Sequence, residues 1–413
     1  MESETMSRRG FVKHTAMASA GLAISTMNAI NPTRVLGAND RVNVGIIGPG
    51  CRGHSLMNSF YQFDKELNME LNAVCDLWRL RREERVEEIA MRYARTPRVA
   101  RNTEELYELP NLDAVIIATP DFSHALLTAE AVRAGKDVYV EKPLANVLED
   151  AKIARDTVLA SDRIVQMGTQ RRSEGKYVGA VEYIRSGKLG DIAAIEIQRN
   201  VNQPMRWRRH SDVASLKEED TDWKRYLLNR PYEPFNPRKY LEFRLFWPYS
   251  SGLPDQWMSH QMDTVAWFAE DPYPESVVAE GSLVCWNDGR RNPDTFSAIF
   301  KYPKGFQVNY TARQTNSYGG TKEVYSFNGG IMDLGAGTIS ADDKGKLRPM
   351  KIPSVDGTDH MMNWMECIRS RKKPNADIEA GYSHAVAAAV AIKAMHTGQR
   401  VIFDQKRHEI VLS

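Results

Sequence analysis

Nowhere does the 413-residue chain run to eighteen uninterrupted apolar residues, so no stretch of it is expected to cross a bilayer as a helix and no stable membrane insertion follows. It also lacks any long block of one-signed charge. Its 55 Lys and Arg stand against 53 Asp and Glu, for a net charge of +2, and nothing resembles the basic stripe that tracks a phosphate backbone; no nucleic-acid partner is expected. Cysteine is scarce. Cys51, Cys75, Cys285 and Cys367 lie far apart with no CxxC spacing, which excludes a disulfide framework of the small secreted kind and a thiolate metal site. The nine histidines form neither HxxxH nor HExxH, so no metal is expected. With 42% hydrophobic and 26% charged residues, a chain of this length has the material for two ordinary cores.

The first forty residues stand apart. Ser7-Arg8-Arg9-Gly10-Phe11-Val12-Lys13 precedes a weakly apolar stretch, Thr15–Thr26, rich in Ala, Gly and Ser. The pattern resembles a twin-arginine export signal, too short and weak to span a membrane. It implies an exported, periplasmic protein, cut between Asn28 and Asn39, with residues 1–40 serving as signal and linker; a basic cytoplasmic tail is the alternative.

From Arg41 onward, short β-branched runs alternate with helical stretches, the pattern of a parallel sheet with crossover helices. The runs are Val42–Ile47, Leu71–Cys75, Ala114–Ala118, Asp137–Val140 and Ile164–Gly168. Leu77–Arg95 carries Arg and Glu at helical spacing, and Asn102-Thr103-Glu104-Glu105 reads as a helix start. The expected fold is α/β: a doubly wound Rossmann domain over 41–165, then an α+β domain over 166–413 with a mostly antiparallel open sheet. In the second half Ala193–Asn200 and Ser297–Ala312 read as strands, and Met361–Arg371 and Ala380–His396 as helices, the last closed by Gly398. A C-terminal helix is expected to pack back on the first domain. Between them lies an irregular segment, Thr221–Tyr249, dense in aromatic residues and arginine. Such a segment suits stacking on sugar faces, the packing of an irregular loop, or an oligomer interface.

Val44-Gly45-Ile46-Ile47-Gly48-Pro49-Gly50-Cys51-Arg52-Gly53 is a strand running into GxGxxG and then a helix. Gly48 permits the tight turn, Gly50 lets backbone approach a pyrophosphate, and Gly53 lets helix and strand pack closely, with Cys51 and Arg52 opening the helix whose N-terminus faces the anion. Asp76 follows the last glycine by 23 residues, where an acid accepts hydrogen bonds from the adenosine ribose and repels a 2′-phosphate. NAD is therefore favoured over NADP, although Arg79 nearby blurs the preference.

Two further segments fall at the carboxyl edge of the sheet: Ala118-Thr119-Pro120-Asp121-Phe122-Ser123-His124 and Glu141-Lys142-Pro143. GxGxxG, an ATPxxxH segment and VEKPLA, in this order, resemble the Gfo/Idh/MocA (glucose-fructose oxidoreductase, inositol dehydrogenase) oxidoreductase family, closely over 41–170 and more loosely beyond. The resemblance implies cofactor contacts at Thr119, Pro120, His124, Glu141 and Lys142, with Lys142 beside the nicotinamide and the reacting hydroxyl. Losing hydride from a secondary alcohol requires losing the hydroxyl proton, and an ammonium stabilises the developing alkoxide. The family's second element is DxxxH with histidine as general base. Here His260 fits, followed by Asp263, but Asp255 lies five residues upstream and Gln256 takes the expected acid's place. Either Asp255 still orients the imidazole or His260 works without it; His124 and Tyr177 are the alternative bases. Gly168-Thr169-Gln170-Arg171-Arg172 lies at the same edge and is expected to contribute to the substrate pocket.

The resemblance thus implies an NAD-dependent oxidoreductase acting on a CH–OH group of a sugar or glycoside, with a small carbohydrate as substrate and a homo-oligomeric assembly. An NAD-dependent glycosidase working through transient C3 oxidation and elimination, and a non-catalytic NAD-bound sugar-binding protein, are the alternatives. Export in the folded state implies a cofactor already tightly bound.

Overall fold

The computed structural model describes residues 40–341 and 347–412, and the arginine-led export segment lies outside the described residues. Six strands make the first sheet: β1 (Val42–Ile47), β2 (Met69–Cys75), β3 (Arg98–Ala100), β4 (Ala114–Ile117), β5 (Asp137–Val140) and β6 (Val165–Met167). They are all parallel, in the order β3-β2-β1-β4-β5-β6. β4 and β5 are buried from end to end, as a strand covered by helices on both faces must be. Helices Cys51–Phe60, Arg79–Tyr93, His124–Arg133 and Leu148–Leu159 make the crossovers. The reversal of winding between β1 and β4 opens a crevice at their carboxyl ends.

The second sheet has ten strands. β7 (Ile192–Asn200) lies at its centre, followed in sequence by β8 (Ser276–Ser282), β9 (Thr295–Lys301), β10 (Gln307–Arg313), β11 (Thr321–Phe327), β12 (Gly330–Asp333), β13 (Thr338–Ser340), β14 (Met350–Lys351), β15 (Val401–Asp404) and β16 (Glu409–Leu412). β7 and β10 run parallel; the other pairings are antiparallel. Alternation fixes which face is covered: Ile195 and Ile197, Phe296, Ala298 and Phe300, and Val308, Tyr310 and Ala312 point inward, while Glu196, Ser297, Ile299 and Asn309 point out. Over the inner face lie Ser259–Ala269 and the nearly all-buried helix Ile378–Thr397, whose alanines permit close approach. That helix starts on the Asp377 carboxylate and stops at Gly398, where φ is +66°.

Helix His360–Ser370 packs on the first sheet. Met361, Trp364 and Met365 join Val44, Ile46 and Leu71 in one core, with Trp364 against Tyr139 at 5.8 Å. No described helix is long and apolar enough to cross a membrane. All four cysteines are free, and no metal-holding group of His, Cys, Asp and Glu occurs among the described residues.

Candidate functional site

Each parallel strand of the first sheet delivers one loop to a cavity of about 850 Å³. From β1 comes the glycine turn. Gly48 has φ +78°, and a Cβ there would meet Thr119 Cγ2 at 2.8 Å; a Cβ on Gly53 would collide with the Gly48 carbonyl oxygen. Gly50 caps the helix Cys51–Phe60, whose first turn has no acidic residue to occupy its free N–H groups. A Cβ on Gly50 would meet nothing within 4 Å, so this backbone borders open space in the cavity. These features fit a dinucleotide pyrophosphate. Gly50→Ala is therefore expected to leave the melting temperature unchanged while weakening NAD binding by about tenfold or more, since about 1.4 kcal/mol is tenfold. Titration of intrinsic fluorescence with NAD checks it, and unchanged affinity would place the pyrophosphate elsewhere.

From β2 comes Asp76, half-buried at the cavity wall, its carboxylate accepting the Trp78 N–H at 2.8 Å. The next helix begins at Arg79 with Trp78 at its cap position, so Asp76 closes a turn ahead of the helix and does not cap it. Burial pushes its carboxyl up to about 6, against the opposing pull of the Trp78 N–H and of Arg82 and Arg81. Arg79 points away, paired with Asp220 at 2.7 Å and Glu83 at 3.1 Å. The arginine that lines the cavity beside Asp76 is Arg81, which pairs with Glu84 at 2.7 Å.

From β4 come Thr119 and Pro120, both on the cavity wall. Thr119 Oγ1 shares a 2.7 Å hydrogen bond with Ser123 Oγ. The His124 ring bridges the carbonyl oxygens of Pro143 (2.7 Å) and Thr119 (2.8 Å), so both nitrogens are engaged and the ring ties the β4 loop to the β5 loop. Cys51 and Arg52 also border the cavity. Arg52 reaches the buried Glu141 through Nε at 2.7 Å and Nη2 at 2.6 Å, and Arg209 donates to Cys51 Sγ at 2.8 Å.

From β5 comes Lys142. Its Nζ donates to the Gln256 carbonyl oxygen at 2.9 Å, which leaves two of its three N–H groups for a ligand. Burial lowers the ammonium's pKa, Asp121 and Glu141 oppose that, and Arg244 adds to it. His260 faces the same cavity from Ser259–Ala269, its Nδ1 buried and without a hydrogen-bond partner. Burial and the neighbouring Lys142 charge hold this imidazole well below its ordinary range, so it is neutral.

The displaced acid has a geometric explanation. Pro254–Met258 forms one turn of π-helix directly ahead of Ser259–Ala269, and such a turn takes in one extra residue, so positions five apart share a face. Asp255 and His260 are five apart. No hydrogen bond joins them, however: Asp255 Oδ2 accepts the Ser251 N–H at 2.6 Å and Oδ1 is buried without a partner. Burial and then the Asp121 carboxylate push Asp255 up to about 7. Gln256 acts as the hub instead. It accepts from Arg244 Nε at 2.7 Å, donates to Asp121 Oδ2 at 2.5 Å, and its carbonyl receives Lys142. Ser250 Oγ also donates to Asp121, at 2.6 Å. Asp121, Arg244 and Gln256 therefore belong to the site, although spacing alone gave no sign of Arg244 and marked Gln256 only as an exception.

Of the β6 loop, Gln170 lines the cavity and donates to Tyr139 Oη at 3.1 Å; Arg171 is bound to Glu323 at 2.9 Å and Arg172 to Asp263 at 2.8 Å. Tyr177 lies under the Arg171 guanidinium at 4.8 Å and is not on the cavity wall. The aromatic segment is a small core of its own. Trp223, Tyr226, Tyr240, Phe243, Phe246 and Tyr249 bury one another against Phe122 and Trp78, with Tyr226 stacked on Tyr240 at 4.5 Å. Of the readings open to it, packing of an irregular segment is the one the contacts match; Tyr226, Tyr240 and Phe243 also line the cavity.

Residues 42–169 match an oxidoreductase family with an NAD-binding Rossmann fold, the Gfo/Idh/MocA family. Among curated proteins, a scyllo-inositol 2-dehydrogenase (NAD(+)) of Bacillus subtilis is 40% identical over 86 residues, 21% of this chain and 25% of the relative. A glycosyl hydrolase family 109 protein of Shewanella baltica is 26% identical over 204 residues, 45% of this chain and 44% of the relative. The chain thus spans between a quarter and about half of the curated relatives it matches. Among solved structures, an aldose-aldose oxidoreductase from Caulobacter crescentus superposes with a TM-score of 0.63 at 18% identity, covering 88% of this chain and 99% of its own, which shows the fold.

Proposed function

We propose that this chain, whose residues 42–169 form a Rossmann domain of the Gfo/Idh/MocA oxidoreductase family, is an NAD-dependent oxidoreductase acting on a secondary hydroxyl of a sugar or glycoside. The observation that carries this reading is the presence of Lys142 and His260 on one cavity that continues to the Gly48–Gly53 turn. An inositol dehydrogenase among the relatives supports the substrate class.

Bound NAD would supply the hydride acceptor, held by the glycine turn, the helix N-terminus, Asp76 at the ribose, and Thr119 and Pro120. Within the chain, the neutral His260 imidazole accepts the hydroxyl proton before the carbon loses its hydride. The two free N–H groups of Lys142 stabilise the alkoxide that forms between those events, and burial strengthens the interaction by excluding water. Gln256 fixes the ammonium through its carbonyl, and Arg244 and Asp121 fix Gln256. Asp255 makes no hydrogen bond to the imidazole; its carboxylate favours the charged form of Lys142.

NAD is preferred over NADP in this reading because Asp76 occupies the ribose position. Asp76→Ala is expected to raise the KM for NAD and to raise the NADP-to-NAD ratio of kcat/KM; an unchanged ratio would show that Asp76 does not face the ribose.

A second reading, redox-neutral glycoside cleavage by C3 oxidation and elimination, is supported by the glycosyl hydrolase relatives. Screening sugars against their aryl glycosides with added NAD separates the two: net NADH supports a dehydrogenase, and aglycone release without net NADH supports the glycosidase. We also propose a homo-oligomeric enzyme exported in folded form through the segment around Arg8 and Arg9, with NAD tightly bound. Denaturing the purified protein is then expected to release close to one nucleotide per chain. Nucleotide-free protein with a cytoplasmic location would contradict export with bound cofactor.

A further inference from the structure

Arginines near the site are mostly neutralised: Arg171 by Glu323 at 2.9 Å, Arg172 by Asp263 at 2.8 Å and Arg208 by Glu242 at 2.9 Å. Three have no ion pair among the described residues: Arg244, which the neutral Gln256 side chain holds at 2.7 Å, and the pair Arg199 and Arg206. Arg199 lies on β7 in line with Ile195 and Ile197, so it points to the covered face of the sheet, where an unpaired charge is costly. Neither residue forms an ion pair among the described residues, and the Nε of each is buried without a hydrogen-bond partner. Arg206 donates to the neutral Gln203 side chain. Glu323, the acid whose field reaches Arg199, is already taken by Arg171.

Both guanidiniums stand over the Trp257 indole, Arg199 at 4.9 Å and Arg206 at 5.4 Å. Trp257 directly follows Gln256, which receives Lys142, and precedes His260 by three residues, and the Arg206 charge reaches Arg244 on the cavity wall, so the pair lies behind that wall and does not itself line the cavity. Trp257 Nε1 and Tyr310 Oη are likewise buried without partners and add neutral donors to the same face. Burial, then the charges of Arg199 and Arg244, hold the Arg206 guanidinium below its usual value. Such an excess of donors and positive charge, without a counter-charge and next to the turn that carries Gln256 and leads to His260, matches an anion supplied by a ligand.

We infer that Arg199 and Arg206, over Trp257, bind an anionic group, carboxylate or phosphate, carried by the sugar substrate. This rests on the oxidoreductase reading above and adds the substrate's charge to it. A planar carboxylate or a phosphate satisfies guanidinium donors in a bidentate fashion, which a neutral hydroxymethyl group cannot.

The test uses the NAD-loaded enzyme and calorimetric binding of three probes that differ at one carbon: D-glucose, D-glucuronate and D-glucose 6-phosphate. At least one anionic probe is expected to bind about tenfold or more tightly than glucose, with the two anionic arms distinguishing carboxylate from phosphate. Arg199→Gln and Arg206→Gln are each expected to bring that ratio to within about threefold, and Arg199→Lys to retain part of it. Equal affinity for all three, including no measurable binding of any, overturns the inference, as does a preference that survives both glutamine variants. Failure of the oxidoreductase reading would instead appear as a protein that releases no nucleotide on denaturation and takes up no NAD in a separate titration.

Discussion

Lys142→Met is expected to lower turnover by about 10³-fold or more while changing NAD affinity by no more than about threefold, because a charged donor at a developing oxyanion acts on the transition state and not on the pyrophosphate. Its Nζ is anchored on the Gln256 carbonyl, so the methionine variant also removes the bond that joins the β5 loop to the π-turn. Lys142→Arg separates the two effects, since it keeps the charge and can keep the anchor but misplaces the donors. Single-turnover kinetics and a fluorescence titration measure turnover and affinity in the same preparations. Wild-type turnover in the methionine variant would remove Lys142 from the chemistry.

His260→Ala is expected to cost roughly 10² to 10⁴ in kcat, the range for a lost general base. The pH dependence carries a further sign. The base must be unprotonated to act, and its folded-state pKa lies below the ordinary imidazole value, so the wild-type rate should stay level through neutrality and fall only as pH drops below about 6.5. Lys142 must be protonated, and burial lowers its pKa, so the alkaline limb should lie below about 10.5, the ordinary value for lysine. In the alanine variant the acidic limb should vanish and the alkaline limb remain. An acidic limb that persists unchanged would assign the base elsewhere, although the His124 ring is occupied by two carbonyls and Tyr177 lies off the cavity wall.

The first sheet was legible because its strands are short, mostly apolar runs between helical stretches: β1 and β5 have the expected bounds, and β2, β4 and β6 differ by two residues or fewer. β3 was missed because it is three residues long and two of them are exposed, which leaves no period to read. The glycine turn was legible because two of its demands are local, the positive φ of Gly48 and the approach of Gly53 to the Gly48 carbonyl oxygen; the contact of Gly48 with Thr119 was not. The Gln256 hub was not, since its partners Asp121 and Arg244 lie 135 and 12 positions away. The irregular spacing from Asp255 to His260 was visible, but its accommodation by a π-turn is a backbone property that residue types do not encode. The aromatic residues of Thr221–Tyr249 were equally compatible with binding and packing until contacts showed them burying one another.

The central claim is that Lys142 and His260 take hydride chemistry to a polyol carbon beside bound NAD. Mixing NAD-saturated enzyme with sugars and glycosides deuterated at the ring carbons, and following the near-ultraviolet absorbance of reduced nicotinamide in a single turnover, tests this whether or not the cycle is redox-neutral. The account predicts an absorbance rise of up to one equivalent per site with at least one substrate, slowed by deuterium at a single ring carbon and absent in Lys142→Met. A wild-type enzyme that binds NAD yet gives no such rise with any sugar or glycoside, charged or neutral, would contradict it.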